Sequence, residues 1–232
     1  MPRESFVREL QNLQDELLIL GSRAEKALME SVDILKRQDL EAARQLVARD
    51  QEINRMRFDV ESKALTLIAT QQPMAGDLRV LAAILEIATE LERIGDYGKG
   101  IARITLMIGT APLIKPIIDL PRMAEKASDM LQRALEAFVR RDVVAARAIP
   151  QEDVEVDALY NQIYRELLTF IMADPRTLNQ ATQLLWAGHN LERAADRVTN
   201  VCERVVFMVT GEMSEMDSDV SEQSPGGYHA IR

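Results

Sequence analysis

Cysteine is nearly missing from this chain: Cys202 is the sole thiol among 232 residues, so no intrachain disulfide can form. Histidine is almost as scarce, with only His189 and His229, which counts against most zinc and haem enzymes. Aromatic residues make up 4% of the chain while Ala, Leu, Glu, Arg and Met abound, a composition that favours packed helices over sheet. No apolar run approaches the roughly 20 residues that span a bilayer. Even the stretch from Val80 to Leu91 carries Glu86 and Glu90, so no direct membrane insertion is expected. The first residues, charged at Arg3, Glu4, Arg8 and Glu9, lack the apolar core of a signal peptide, and the cytoplasm is the expected compartment. Positive charge is the minority: the formal charge is −9 and the pI near 4.9, which argues against a nucleic-acid partner. With 47% apolar residues the chain is nevertheless rich enough to fold around a core.

What is present is helical periodicity. Leu10, Leu13, Leu17, Leu20, Ala24, Leu28, Val32 and Leu35 recur at spacings of three and four, predicting one long amphipathic helix. Asp39 stands as an N-cap before a short run from Leu40 to Val47, and Asp50 reads as a second cap opening a helix to about Ala69. Pro73 and Gly76 end it, and a third helix runs from about Asp77 to Ile108, about 45 Å long. Glycine and three prolines between Gly109 and Pro121 make a linker.

The plan then repeats. RQDLEAAR at 37–44 returns as RRDVVAAR at 140–147, Pro73 corresponds to Pro175, and LERIGD from Leu91 returns as LERAAD from Leu191. The expected architecture is all-α: a duplicated three-helix unit, 1–108 and 122–211, forming two side-by-side bundles joined by the linker at 109–121. Residues 212–232 turn to Glu, Ser, Asp and Gly and are expected to be an acidic disordered tail.

Glu92 and Asp96, four apart, share a helix face, and Glu192 and Asp196 repeat the pair. Like charges at that spacing cost roughly 0.2–0.5 kcal/mol, so a solvated polar face is the bland reading. Hairpin arithmetic goes further. With a turn at Pro73, level positions add to twice 73, or 146, which sets Asp96 against Asp50 and Glu92 against Asn54. With the second turn between Asp174 and Pro175 the total is 349, which sets Asp196 against Asp153 and Glu192 against Asp157. Oxygen side chains converging in this way repel unless a cation joins them, so each half is expected to hold a metal site. Oxygen ligands suit ferric iron, manganese, magnesium or calcium, with zinc also admissible, and clusters of several ions are conceivable. His189 precedes Glu192 by three, the reverse of the Glu-x-x-His order of di-iron bundles, and Thr89 holds its place in the first half. It reads as a helix-surface residue or one behind the ligands. Met107, Met123, Met130, Met172 and Met208 read as core, Cys202 as a buried thiol, and no nucleophile, phosphate loop or Cys-x-x-Cys appears.

The frame ELERIGDYGKGIA at 90–102, its partner NLERAADRVTNVCE at 190–203, QQPMAGDLR at 71–79 and the RQDLEAAR/RRDVVAAR pair together resemble the PhoU family of phosphate-signalling proteins. The likeness spans nearly the whole chain. It implies two antiparallel three-helix bundles and a Glu/Asp-x-x-x-Asp metal motif in each, falling on Glu92 with Asp96 and on Glu192 with Asp196. Asn54 in place of a carboxylate makes the first site less acidic. The resemblance further implies a non-enzymatic, cytoplasmic negative regulator of the phosphate-starvation response and modulator of phosphate uptake. Its partners would be the ATPase subunit of a phosphate ABC transporter and a phosphate-sensing histidine kinase, and a homodimer is expected. The alternatives are a carboxylate-bridged di-metal enzyme, which the missing imidazoles disfavour, and a metal-free helical adaptor.

Overall fold

The duplicated octapeptide builds the same device twice. In a computed structural model that describes residues 2–216, helix α1 (Pro2–Arg37) stops where Gln38 adopts a left-handed conformation, φ 52°. Asp39 then caps α2 (Leu40–Gln71), its carboxylate accepting the Ala42 N–H at 3.0 Å. In the second half α4 (Asp119–Arg140) stops at left-handed Arg141, φ 54°, and Asp142 accepts the Ala145 N–H at 3.0 Å to open α5 (Val143–Ala148). A non-glycine residue at positive φ costs about 1–2 kcal/mol, and the cap that follows offsets about 1 kcal/mol of it.

Past the caps the halves diverge. Asp50 does not cap a helix: it lies inside α2, which runs unbroken. In the second half Pro150 lacks the amide that would continue α5, and a 3₁₀ turn (Ile149–Glu152) intervenes before α6 (Asp153–Ala173). At the offset of 103 that aligns the octapeptides, Pro150 corresponds to Val47, which keeps its amide, so no break is forced in the first half. Helix α3 (Ala75–Ile108) follows Pro73, and α7 (Leu178–Thr210) follows a 3₁₀ turn at Pro175–Thr177.

The apolar stripe of α1 is buried from Leu10 to Leu35. It packs with α2 and α3 as one antiparallel bundle, while α4, α5, α6 and α7 form the other. Close approach of α1 to α3 depends on Gly98, where a Cβ would sit 2.9 Å from the Ala27 backbone. Met123, Met130, Met208 and Cys202 are buried, whereas Met107 and Met172 are 60% and 83% exposed, so these two are not core. Their periodicity misled because they sit at helix ends, where the neighbouring helices give out. The connection between halves is tied down at both ends: Gln38 donates to the Gly109 and Ala111 carbonyls, and Gln180 pairs with Pro112 and Ile114.

Helices α3 and α7 run antiparallel against each other and fuse the bundles into one body. Glu86 pairs with Arg204, and Gly100 approaches Asn190; both pairs of numbers add to 290. That register sets Gly95 level with its own counterpart Ala195, which places an approximate twofold axis there and both acidic pairs within a turn of it. Among the described residues there is no strand, and no helix is long and apolar enough to cross a membrane. The expected disorder beyond Met216, and His229 with it, lies outside the described residues.

Candidate functional site

In the first half α2 and α3 bring Asp50 and Asp96 to a common cation. The Lys99 ammonium donates to Asp50 Oδ2 at 2.6 Å and to Asp96 Oδ1, forming an ion pair with each. Asn54 also donates to Asp50 Oδ2, at 3.2 Å, whereas Oδ1 is buried without a hydrogen-bond partner. Asp50 forms part of the wall of a cleft of about 450 Å³, open mouth included, with Arg23, Lys26, Glu30 and Arg49 among its lining. Burial would lower Lys99, but hydrogen bonds from it to Asp50 and Asp96 hold the ammonium above its ordinary pKa. Glu92 is raised by burial and then by Asp96 and Asp50, with Arg57 opposing.

In the second half the acids act on one another. Burial, then Asp196, Asp157 and Asp153, push Glu192 up to about 7, against a smaller pull from Arg193. Asp157 is raised by burial and by Asp196. Arg193 stands 3.8 Å from Asp196 and bonds Tyr97 of the other half. His189 Nδ1 lies 3.0 Å from Glu192 Oε2, an ion pair only when the ring is protonated. That oxygen is buried and accepts no hydrogen bond. The imidazole is half exposed and tilts against the Tyr160 ring, as a residue at the edge of the cluster. Where Lys99 stands in α3, α7 carries buried Thr199.

The expected neighbours therefore meet across each helix pair: Asp50 with Asp96 through Lys99, and Asp157 and Asp153 near enough to perturb Glu192. Among the described residues, no three acidic, imidazole or thiol side chains are already arranged to hold a metal ion. The donor set of the second cluster nonetheless fits a hard cation, because it offers only oxygen and the buried Glu192 Oε2 accepts no hydrogen bond. The first cluster offers fewer acids and has its cation built in.

Lys99 is the residue that sequence reasoning passed over. Its signal was available: a lysine three residues past Asp96 in a frame whose second copy has threonine. The inter-half contacts were also missed. Glu90, 12% exposed at its side chain, accepts from Asn200 at 3.1 Å and pairs with Arg197 at 3.4 Å and Arg93 at 2.9 Å.

A PhoU domain model matches twice, at residues 17–105 and 120–205. A phosphate-specific transport system accessory protein PhoU homolog of Clostridium acetobutylicum is 35% identical over 94% of this chain and 100% of its own. A protein of the same description from Caulobacter vibrioides is 38% identical over 90% of this chain and 91% of its own. The crystal structure of PhoU from Pseudomonas aeruginosa superposes with a TM-score of 0.84 at 32% identity, covering 89% of this chain and 100% of that one. The phosphate transport system regulatory protein PhoU from Streptococcus pneumoniae gives 0.83 at 31% identity, with 90% and 99% covered.

Proposed function

The chain belongs to the PhoU family, and from that premise we propose that it is an accessory regulator of a phosphate-specific transport system. It restrains the phosphate-starvation response and modulates phosphate uptake in the cytoplasm. It does so by contact, as a dimer, between the transporter's ATPase subunit and a phosphate-sensing histidine kinase. The observation that carries this reading is the relation over nearly the full length to proteins described as phosphate-specific transport accessories. The molecule's physics is compatible with it. A rigid, acidic helical body of net charge −9 suits docking on basic partner surfaces, and phosphate abundance would shift the balance between two such contacts.

The second acidic cluster belongs to the same reading. Asp153, Asp157, Glu192 and Asp196 would hold a hard cation such as iron, manganese or magnesium. Its positive charge would offset their mutual repulsion. The carboxylates come from α6 and α7, so holding the ion ties the second bundle together at the middle of the molecule.

Deleting the gene in its host should derepress phosphate-responsive transcription and alter uptake in phosphate-replete medium. Unchanged transcription and uptake would overturn the regulatory reading. A pull-down from replete and starved cells should recover the transporter ATPase or the kinase, and the absence of both would favour a plain helical adaptor.

A further inference from the structure

At the mouth of the cleft beside Asp50 the charges are the reverse of those at the matching place in the second half. Buried Leu46, Ile53 and Gly95 form the deep wall, and exposed Arg23, Lys26 and Arg49 stand at the mouth together with Glu30 and Glu52. At the offset of 103 that aligns the repeats, Lys26, Glu30 and Arg49 correspond to Asp129, Arg133 and Glu152, so all three signs are inverted. Arg23 and Glu52 keep theirs, as Lys126 and Glu155. In the second half these charges are spent within the chain: Arg133 grips Glu152 and Asp129, and Lys126 pairs with Glu152 and Glu155. In the first half Arg49 takes Glu30 at 2.7 Å, and among the described residues Arg23 and Lys26 are left without an ion pair. Two unmatched cations remain where the second half has a closed network.

A second observation lies deep in the same cleft. Asp50 is 6% exposed, and its Oδ2 is held by Lys99 and Asn54, which leaves Oδ1 as the oxygen without a hydrogen bond. An acceptor buried in that state is costly, and a ligand that donates an N–H to it removes the cost. Gly95 keeps the wall beside it low, since a Cβ there would come within 2.9 Å of Ile53 Cδ1; the second half has Ala195 in its place. One acceptor in an apolar wall suits a single amino group on a flat body better than the several hydroxyls of a sugar phosphate. A bare phosphate would bring its charge against Asp50. The volume of about 450 Å³, open mouth included, is that of a small-molecule site.

We propose that this cleft binds a nucleoside phosphate whose base carries an amino group, the amino group donating to Asp50 Oδ1 and the phosphate seated on Arg23 and Lys26. Arginine matches phosphate through its planar fork, and lysine adds a point charge. The walls come from α1, α2 and α3, so the ligand ties the first bundle together and gives the molecule a small-molecule input. The proposal stands apart from the regulatory and metal readings.

The full chain is titrated with AMP by calorimetry, with IMP, adenosine and inorganic phosphate as comparisons. AMP should bind, one molecule per chain, and more weakly as salt is raised. IMP has a carbonyl in place of the amino group and should bind at least about tenfold more weakly, because that oxygen faces Asp50. R23A/K26A, at two exposed positions, should weaken AMP by at least about tenfold and leave adenosine unchanged. K26D/E30R/R49E, which copies the pairing of the second half, should melt as wild type does and lose AMP. Equal affinity for AMP and IMP, AMP binding undiminished in R23A/K26A, or inorganic phosphate bound as tightly as AMP overturns the proposal, as does wild type that binds no AMP. The deletion strain decides the regulatory reading separately.

Discussion

Glu152 and Glu192 sit on opposite sides of the usual carboxylate range, for opposite reasons. The Arg133 fork grips Glu152 at 2.7 and 2.8 Å and Lys126 adds a third bond at 2.6 Å, together holding it at about 2 against the opposing effect of burial. A lowered carboxylate stabilises the fold above its unfolded value of 4.5, and that contribution is lost as pH falls toward 2. Glu152→Gln should therefore cost at most about 1 kcal/mol at pH 7, since solvent screens a part-exposed pair. The difference from wild type should vanish in urea titrations near pH 2. Glu192 is raised, so the folded chain holds its proton longer than the unfolded chain does. Metal-free protein should lose stability as pH climbs from 4.5 to 7, and Glu192→Gln should flatten that slope in melts done with chelator. A slope unchanged by the substitution would remove Glu192 from the account.

At the scale of elements, the turn after α1 and the turn after α4 share their chemistry, and both were legible as a repeated octapeptide ending in a capping aspartate. Removing the cap by Asp39→Ala or Asp142→Ala should cost about 1 kcal/mol each, read from urea midpoints at constant slope. Asp50 shows where such reading stops. An aspartate before an apolar run has the same local pattern as a cap, but with an amide at Val47 the helix continues, and Lys99 takes up the buried charge. Pro150 is the converse, a residue whose covalent structure forces the break wherever it falls. Helix existence and face follow from spacing; helix continuity is decided by single residues.

At the scale of the whole molecule, α3 and α7 make the spine, with Glu90 at its centre. Glu90→Ala strands Arg197, 15% exposed at its side chain, and frees Asn200, so it should destabilise by about 2–4 kcal/mol in calorimetry. Because this contact joins the halves, wild type should still melt in one transition. Two resolved transitions in the wild type would mean the bundles are energetically separate.

Spacing, capping and repetition in the sequence by themselves determined that the chain is a duplicated set of amphipathic helices with acidic pairs at matching places, because these are local properties of neighbouring residues. Only the tertiary structure decided which charges answer which. Lys99 meets Asp50 across 49 positions of chain, and Arg197 meets Glu90 across 107, and such distances carry no local signal. Two motifs that read as equivalent acid pairs are thereby set in different fields, one closed by the Lys99 ammonium and one with buried, uncharged Thr199 in its place.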